Sequence, residues 1–198
     1  NYQLGKATFL RASYGGGYRF PSMAEVFTYT DVGGTGVMPN PDLNPESGWS
    51  AELGVKQGFQ ITKDWKGFVD LAGFVNRFDN MTEFSFGIWE DPFKGTQVLA
   101  FKSINVGPTQ ITGLEFSLTG AGKIGPVDVR FFGGYTYMNP IALEPDLVYG
   151  VTEGNVELTY QNTSSDTTNN ILKYRYQHLV RFDSQFEWKG IGLGFSVR

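Results

Sequence analysis

Apolar and polar residues alternate with a period of two in block after block of this sequence. In residues 49–59 the odd positions are mostly apolar, whereas the even positions are small or charged. Residues 127–137 and 178–188 repeat this pattern, and helical periodicity is nearly absent. Successive side chains of a β-strand point to opposite faces of its sheet, so the pattern is typical of strands with one apolar face. The sequence therefore predicts an all-β chain of about seven long strands.

The connections between the blocks alternate in length. Tight turns are expected at 62–66, 122–126 and 189–190, where Gly, Pro and Asp favour sharp reversals. Longer loops are expected at about 21–47, 90–96 and 140–172. Short turns at one edge and long loops at the other are typical of outer-membrane barrels, whereas a soluble β-sandwich has no reason to sort its loops in this way. The pattern therefore favours a transmembrane antiparallel up-and-down β-barrel, with residues 1–198 forming part of one barrel domain.

The lengths of the blocks agree with a membrane-spanning barrel. A tilted strand needs about 9–11 residues to cross the apolar layer of a membrane. Blocks of this length are 49–59, 67–77, 111–119, 127–137 and 178–188. Two stretches, 66–90 and 97–121, alternate for longer than a membrane requires, and we expect them to form one tall hairpin that stands above it.

The composition excludes several classes of protein and of site. The chain has no Cys, which excludes a disulfide scaffold and a thiolate metal site. Its 16 Lys and Arg against 20 Asp and Glu include no basic cluster, so we expect no nucleic-acid partner. No stretch approaches the roughly 20 apolar residues of a membrane-spanning helix. The single histidine, His178, is interpreted as a polar residue at the membrane interface, and we expect no catalytic residues, metal or cofactor.

Short motifs recur in a fixed order along the chain. The first is Gly17-Tyr18-Arg19-Phe20-Pro21-Ser22-Met23-Ala24-Glu25, in which Ser22 and Glu25 have capping-box spacing and predict a short helical turn. The residues of the later motifs are Asn40, Pro41, Pro45, Glu46, Glu52, Asn105, Gly107, Gly113 and Glu115. In order and spacing these motifs resemble those in the barrel of TonB-dependent outer-membrane receptors.

The resemblance implies a 22-stranded barrel in the bacterial outer membrane, closed by an N-terminal plug domain. These 198 residues would be an internal piece from the C-terminal part of the barrel, without the plug or the last strands. The implied function is active uptake of a scarce nutrient, most often a ferric siderophore, with energy from TonB. The implied partners are the lipid bilayer, the TonB complex through the plug, the small nutrient ligand, and a surface lipoprotein or another outer-membrane complex.

Charged residues on the polar phase of the strands allow a second interpretation. The candidates are Lys56, Asp70, Arg130, Arg181 and Asp183, which share this phase with Glu52 and Glu115. In a wide barrel these side chains face a hydrated lumen, where charges pair with each other and with water. Paired carboxylates would instead suggest an outer-membrane enzyme. A passive porin and a soluble β-sandwich binding module are further alternatives, and the sequence does not assign the residues that contact a substrate.

Overall fold

A computed structural model describes residues 1–33, 35–151, 155–163, 168–173 and 175–198. The elements in chain order are β1 (Tyr2–Gln3), β2 (Thr8–Arg19), α1 (Met23–Phe27), β3 (Thr30–Val32), β4 (Thr35–Met38), β5 (Glu46–Gln60), β6 (Lys66–Asp79), β7 (Thr82–Glu90), β8 (Gln97–Asn105), β9 (Thr109–Ile124), β10 (Val127–Ala142), β11 (Val148–Val151), β12 (Glu157–Thr159), α2 (Tyr160–Thr163), β13 (His178–Trp188) and β14 (Ile191–Val197). Among these residues, no helix is long and apolar enough to cross a membrane.

Eight strands form the main sheet in the order β1-β2-β5-β6-β9-β10-β13-β14. Every neighbouring pair is antiparallel, and apart from the two-residue β1 the strands are 7 to 16 residues long. The expectation of an all-β, up-and-down antiparallel chain with about seven long strands is confirmed. Within the described residues the sheet does not close on itself, and β1 and β14 are its edge strands.

The first short connection of the main sheet is shifted by one residue from its expected position, to 61–65, and the second is shorter than expected. Lys66 already belongs to β6, and pairing between β9 and β10 continues to Ile124 opposite Val127, which leaves only Gly125 and Pro126 between these strands. The last connection is a two-residue turn in which Lys189 and Gly190 have φ angles of 49° and 82°. Two successive residues with positive φ suit a hairpin turn whose twist matches that of its strands.

The expected tall hairpin is divided into two parts. Its lower part, β6 and β9, belongs to the main sheet as far as Phe78 opposite Thr109. Its upper part, β7 and β8, belongs to a separate sheet in the order β3-β4-β8-β7. The division lies where Asn80 and Gly107 adopt positive φ angles of 53° and 83°, which no regular strand contains. We call the upper sheet the loop-end sheet.

The expected long loops also contain secondary structure. The segment 21–47 includes α1, β3 and β4 and ends inside β5, while β4 pairs with β8 in parallel. The first residues of 140–172 extend β10, because they pair with the start of β9, and the segment also includes β11, β12 and α2. Residues 152–154 and 164–167 of this loop lie outside the described residues. Glu90 ends β7, so the connection of that hairpin is 91–96.

The hydrophobic core lies at the loop end, not on the main sheet. It packs one face of the loop-end sheet against the segment between β10 and β13. Its buried residues are Met38, Met81, Trp89, Ala100, Ile104, Val106, Ala142, Tyr160 and Leu172. On the main sheet, apolar side chains such as Leu53 and Val180 are 65% and 56% exposed. The described residues therefore leave most of the apolar face of the main sheet open, although Val129 on this face is only 5% exposed.

Candidate functional site

The strand register places the predicted charged residues on one face of the main sheet. Lys56 is opposite Asp70, and this row continues across Ser117 and Gly134 to Arg181. Because side chains alternate along each strand, the same face carries Glu52, Glu115, Arg130 and Asp183. We call it the charged face. The opposite, apolar face carries Leu53, Val55, Leu71, Phe116, Leu118, Val129, Phe131, Val180 and Phe182.

Arg11 on β2 holds two of the predicted carboxylates together. Its Nε donates to Glu52 Oε1 at 2.6 Å, and its Nη1 donates to Asp70 Oδ2 at 2.6 Å. The guanidinium lies against Gly54, where a Cβ atom would come within 3.0 Å of its Cζ. Sequence reasoning missed Arg11 because its strand alternates poorly. A signal was available in the sequence, because Glu52 and Gly54 alternate on the strand that pairs with the strand of Arg11.

A second ion pair lies on the far side of the charged face. Arg181 Nε donates to Asp183 Oδ2 at 2.6 Å, and Asp183 Oδ1 accepts a hydrogen bond from Ser196. The Arg181 guanidinium also lies 5.3 Å from the centre of the Phe132 ring. Arg130, Arg181 and Ala121 are among the residues that line an open groove of about 510 Å³.

Lys56 and Glu115 complete the predicted charged set. The Lys56 ammonium lies 3.6 Å from the centre of the Phe68 ring. Glu115 lines a groove of about 290 Å³ together with Arg11, Asp70 and Arg181. Within the described residues no group of three or more His, Asp or Glu side chains is placed to hold a metal ion. The charged face is thus suited to polar, hydrated contacts, because its carboxylates lie among cationic groups.

The first motif forms a network of hydrogen bonds where β2 meets α1. Ser22 is the N-cap of α1, and its side chain and that of Glu25 form the predicted capping box. Arg19 donates to Glu25 Oε2 at 2.8 Å and to Glu46 Oε2 at 2.7 Å. The bound Arg19 guanidinium lowers the pKa of Glu25 from 4.5 to about 2. Gly17 and Tyr18 lie at the end of β2, and Pro21 lies between β2 and the cap.

The later motifs connect the segment between β2 and β5 to the loop-end sheet. Asn105 donates from Nδ2 to the Asn80 carbonyl at 2.8 Å and accepts from the Asn44 N–H at 2.9 Å. Glu46 accepts a hydrogen bond from the Thr82 N–H. Asn40 donates to the Ser103 carbonyl at 2.8 Å. The motif residues therefore fix the loop end of the molecule, although the sequence separates Asn40 and Asn105 widely.

Other motif residues have local roles or none that the structure explains. Gly107 takes the positive φ at the break between the two sheets. Gly113 lies beneath Phe74, where a Cβ atom would come within 2.4 Å of the ring. Pro41 and Pro45 flank the Asn40 and Asn44 contacts and no side-chain contact of theirs explains the motif. His178 Nδ1 lies 2.8 Å from the Tyr135 hydroxyl on the apolar face, at the end near the long loops.

Glu83 is a buried carboxyl group in the core of the loop end. It is 7% exposed, and its Oε1 atom has no hydrogen-bond partner among the described residues. Burial raises its pKa, and the positive charges of Arg175 and Lys173 oppose this shift in part. The alternation pattern gave no reason to single out Glu83, because a Glu within an alternating block is normally exposed.

The sequence of this chain matches a known protein family over its whole length. A family model described as TonB dependent receptor-like, beta-barrel, matches residues 1–198. The chain belongs to this family. The comparison with curated proteins gave no match.

One solved structure has a fold similar to that of this TonB-dependent receptor barrel. It is a double mutant of the Serratia marcescens hemophore receptor HasR in complex with its hemophore HasA and heme. The similarity has a TM-score of 0.58 at 19% sequence identity and covers 100% of this chain but only 30% of the HasR chain. At this identity the similarity concerns the fold alone.

Proposed function

We propose that this chain is part of an outer-membrane receptor that takes up a scarce nutrient with energy delivered by TonB. The single observation that carries the proposal is the two-faced main sheet in a chain that matches the receptor-barrel family over its whole length. We assign the chain no catalytic role. Its position would be the wall and the outer loops of the barrel.

The two faces of the main sheet support a position in the outer membrane. Burying exposed apolar area contributes roughly 25 cal/mol per Å². Leu53 and Val180 on the apolar face would gain this energy from lipid chains, because more than half of each residue is exposed. The charged face, with Arg11 bound to Glu52 and Asp70, would border a hydrated lumen. We propose the same position for Lys56, Arg130, Arg181 and Asp183.

The order of the connections supports the proposed orientation. The connections 61–65, 125–126 and 189–190 join strands of the main sheet at one end of those strands, and the loop-end sheet lies at the other end. Barrels of the outer membrane have short periplasmic turns and longer extracellular loops. The loop-end sheet would therefore face the exterior, where the nutrient arrives, and the segments 21–47, 90–96 and 140–172 would carry its recognition.

A ferric siderophore is the substrate class that we propose, with coupling to the TonB complex through a plug domain. The HasR receptor, which shares the fold, is in complex with a hemophore protein and heme in its solved structure. Heme is accordingly the second substrate that we propose to test. A carrier protein, a surface lipoprotein or another outer-membrane complex is the corresponding partner at the outer side.

Uptake by whole cells tests the proposed function. Cells that carry the full-length receptor are supplied with ⁵⁵Fe-labelled siderophores or heme, in strains with and without TonB. We expect binding to the cell surface in both strains and accumulation only where TonB is present. Equal accumulation in both strains would favour a passive porin and would overturn the proposal. Chemical conversion of the nutrient by purified receptor would favour an outer-membrane enzyme instead, and recovery of the full-length protein in the soluble fraction would favour a soluble binding module.

A further inference from the structure

One face of the loop-end sheet carries a group of exposed apolar side chains that the proposed function does not use. We call it the aromatic face, and its residues are Phe84, Phe86, Ile88, Leu99 and Phe101, which are 38% to 51% exposed. The opposite face of the same strands is buried, with Trp89 6% and Ala100 0% exposed. Exposed apolar groups of this size often mark binding sites.

The Phe101 ring contacts the two other phenylalanine rings of the aromatic face. The register places Phe86 opposite Phe101 and Phe84 opposite Ser103. The Phe84 and Phe101 rings stack with centroids 5.0 Å apart and an interplanar angle of 11°, and Phe86 packs against Phe101 at 4.9 Å. The Phe84 ring is therefore supported on one side by Phe101, and half of its surface remains free for another group.

A groove lies between Phe84 and α1. Its volume is about 430 Å³, and its lining includes Ala24 and Thr28 at the α1 end and Val37, Phe84 and Ser103 of the loop-end sheet. This volume is within the usual range for sites that bind small molecules. Carbon atoms form most of the lining, which also includes three residues with a hydroxyl group, Thr28, Thr82 and Ser103.

The one charged side chain among the described residues that line the groove is already hydrogen-bonded. Glu25 also lines it, and Glu25 accepts hydrogen bonds from Arg19 at 2.8 Å and from the Ser22 N–H at 2.7 Å. An anionic ligand would be repelled by Glu25, and a cationic ligand would have to compete with Arg19 for the same carboxylate. Either ligand would lose hydration without a free counter-ion, which costs free energy. A neutral group with a flat apolar surface loses little and gains contact with the Phe84 ring.

We propose that this groove binds a neutral, planar aromatic ring of a small-molecule ligand, packed against Phe84. The inference rests on the proposed function, because it takes the ligand to be the nutrient. It states which part of the nutrient the outer end of the receptor recognises. It names the chemical class of that part, a neutral aromatic group. Phe101 is a positioning residue that holds the Phe84 ring in place.

Binding of 2-naphthol to the purified full-length receptor in detergent tests this inference. The comparison probe is decahydro-2-naphthol, which has the same carbon skeleton and hydroxyl group but no aromatic ring. Equilibrium dialysis should show saturable binding of 2-naphthol and binding of the saturated analogue at least several-fold weaker. Phe84→Ala should weaken 2-naphthol binding by about tenfold, because it removes both ring contact and buried area. Phe84→Trp should retain binding.

The matched control is Ile88→Ala, which changes an exposed residue of the same strand and face outside the groove. It should leave the affinity for 2-naphthol unchanged. Each variant is first checked for the heat-dependent electrophoretic mobility of a folded barrel, and Phe84→Leu replaces Phe84→Ala if the latter fails this check. Phe84→Leu keeps apolar bulk without a ring and should weaken binding several-fold.

The inference is overturned if both probes bind equally, if 2-naphthol does not bind, or if Phe84→Ala and Ile88→Ala have the same effect. The first result would indicate a general apolar groove, and the other two would show that the groove beside Phe84 is not a site for aromatic ligands. The dialysis needs neither cells nor TonB. Failure here with TonB-dependent uptake intact would therefore leave the proposed function standing, and the reverse result would overturn that function alone.

Discussion

Glu83 is the residue at which charge and burial conflict most clearly. Burial raises its pKa, so the folded protein favours the protonated form more than the unfolded chain does. A raised pKa contributes stability that is fully present below the ordinary pKa of a glutamate. That stability is lost as the pH rises through the pKa of the folded state. The loop end should therefore be less stable at neutral pH than in mild acid.

Replacing Glu83 with glutamine should stabilise the loop end at neutral pH. Glutamine has nearly the same shape and cannot ionise, so the variant avoids the cost of burying a charge. Its free energy of unfolding at neutral pH should rise by about 1–3 kcal/mol. Hydrogen exchange of the β7 and β8 amides in the full-length protein, measured by mass spectrometry between pH 5 and 8, checks this. The advantage of Glu83→Gln should grow with pH. A variant that is less protected than the parent at pH 8 would show that Arg175 and Lys173 stabilise the carboxylate more than burial disfavours it.

The contact between the elements β2 and α1 should stabilise α1 to a degree that depends on pH. The pKa of Glu25 falls to about 2 because Arg19 binds its carboxylate. A lowered pKa contributes stability above the ordinary pKa, near 4.5, and this stability is lost as the pH falls toward 2. Arg19→Gln should remove the contribution at neutral pH, and its α1 should exchange amide hydrogens faster than the parent's.

Local hydrogen exchange of residues 20–30, between pH 3 and 7, measures this contact. The parent and Arg19→Gln should differ most above pH 4.5 and converge in acid. Lys63→Gln, in a short turn at the opposite edge of the sheet, is the control and should leave this segment unchanged. If Arg19→Gln exchanged no faster than the parent at pH 7, the capping box would fix α1 without the Arg19–Glu25 pair. Faster exchange in the control as well would show that the effect is not specific to this contact.

The alternation pattern predicted the strands of the main sheet and the β7–β8 hairpin, but it did not predict that β7 and β8 belong to a separate sheet. Alternation is local, so the pattern around Trp49 or Val180 reports which face of its own strand is apolar. The break at Asn80 has no such signal, because the residues on both sides of it continue to alternate. The parallel pairing of Val37 with Phe101 joins residues far apart in the chain, and no local pattern can specify it. The groove beside Phe84 could not be predicted for the same reason, because α1 and β8 are far apart in the chain.

At the scale of the whole molecule, the apolar face of the main sheet determines where the chain can be stable. Phe116 on this face is 42% exposed, and its row continues through Leu71 and Tyr135 without a charge. The adjacent residue, Ser117, lies on the charged face between Asp70 and Gly134. Two neighbouring positions of one strand therefore offer a direct comparison of the two faces.

Phe116→Arg should destabilise the full-length barrel in lipid vesicles by roughly 2–4 kcal/mol, the cost of an arginine at mid-depth on a lipid-facing position. Ser117→Arg should have a much smaller effect, because the new guanidinium can remain hydrated and lies beside Asp70. Urea titration of reversible folding into vesicles measures both. If the two variants lost equal stability, the assignment of the apolar face to lipid and of the charged face to the lumen would be wrong. If instead Ser117→Arg were the more damaging change, the two faces would have to be exchanged, and the charged face could no longer be the wall of a hydrated path.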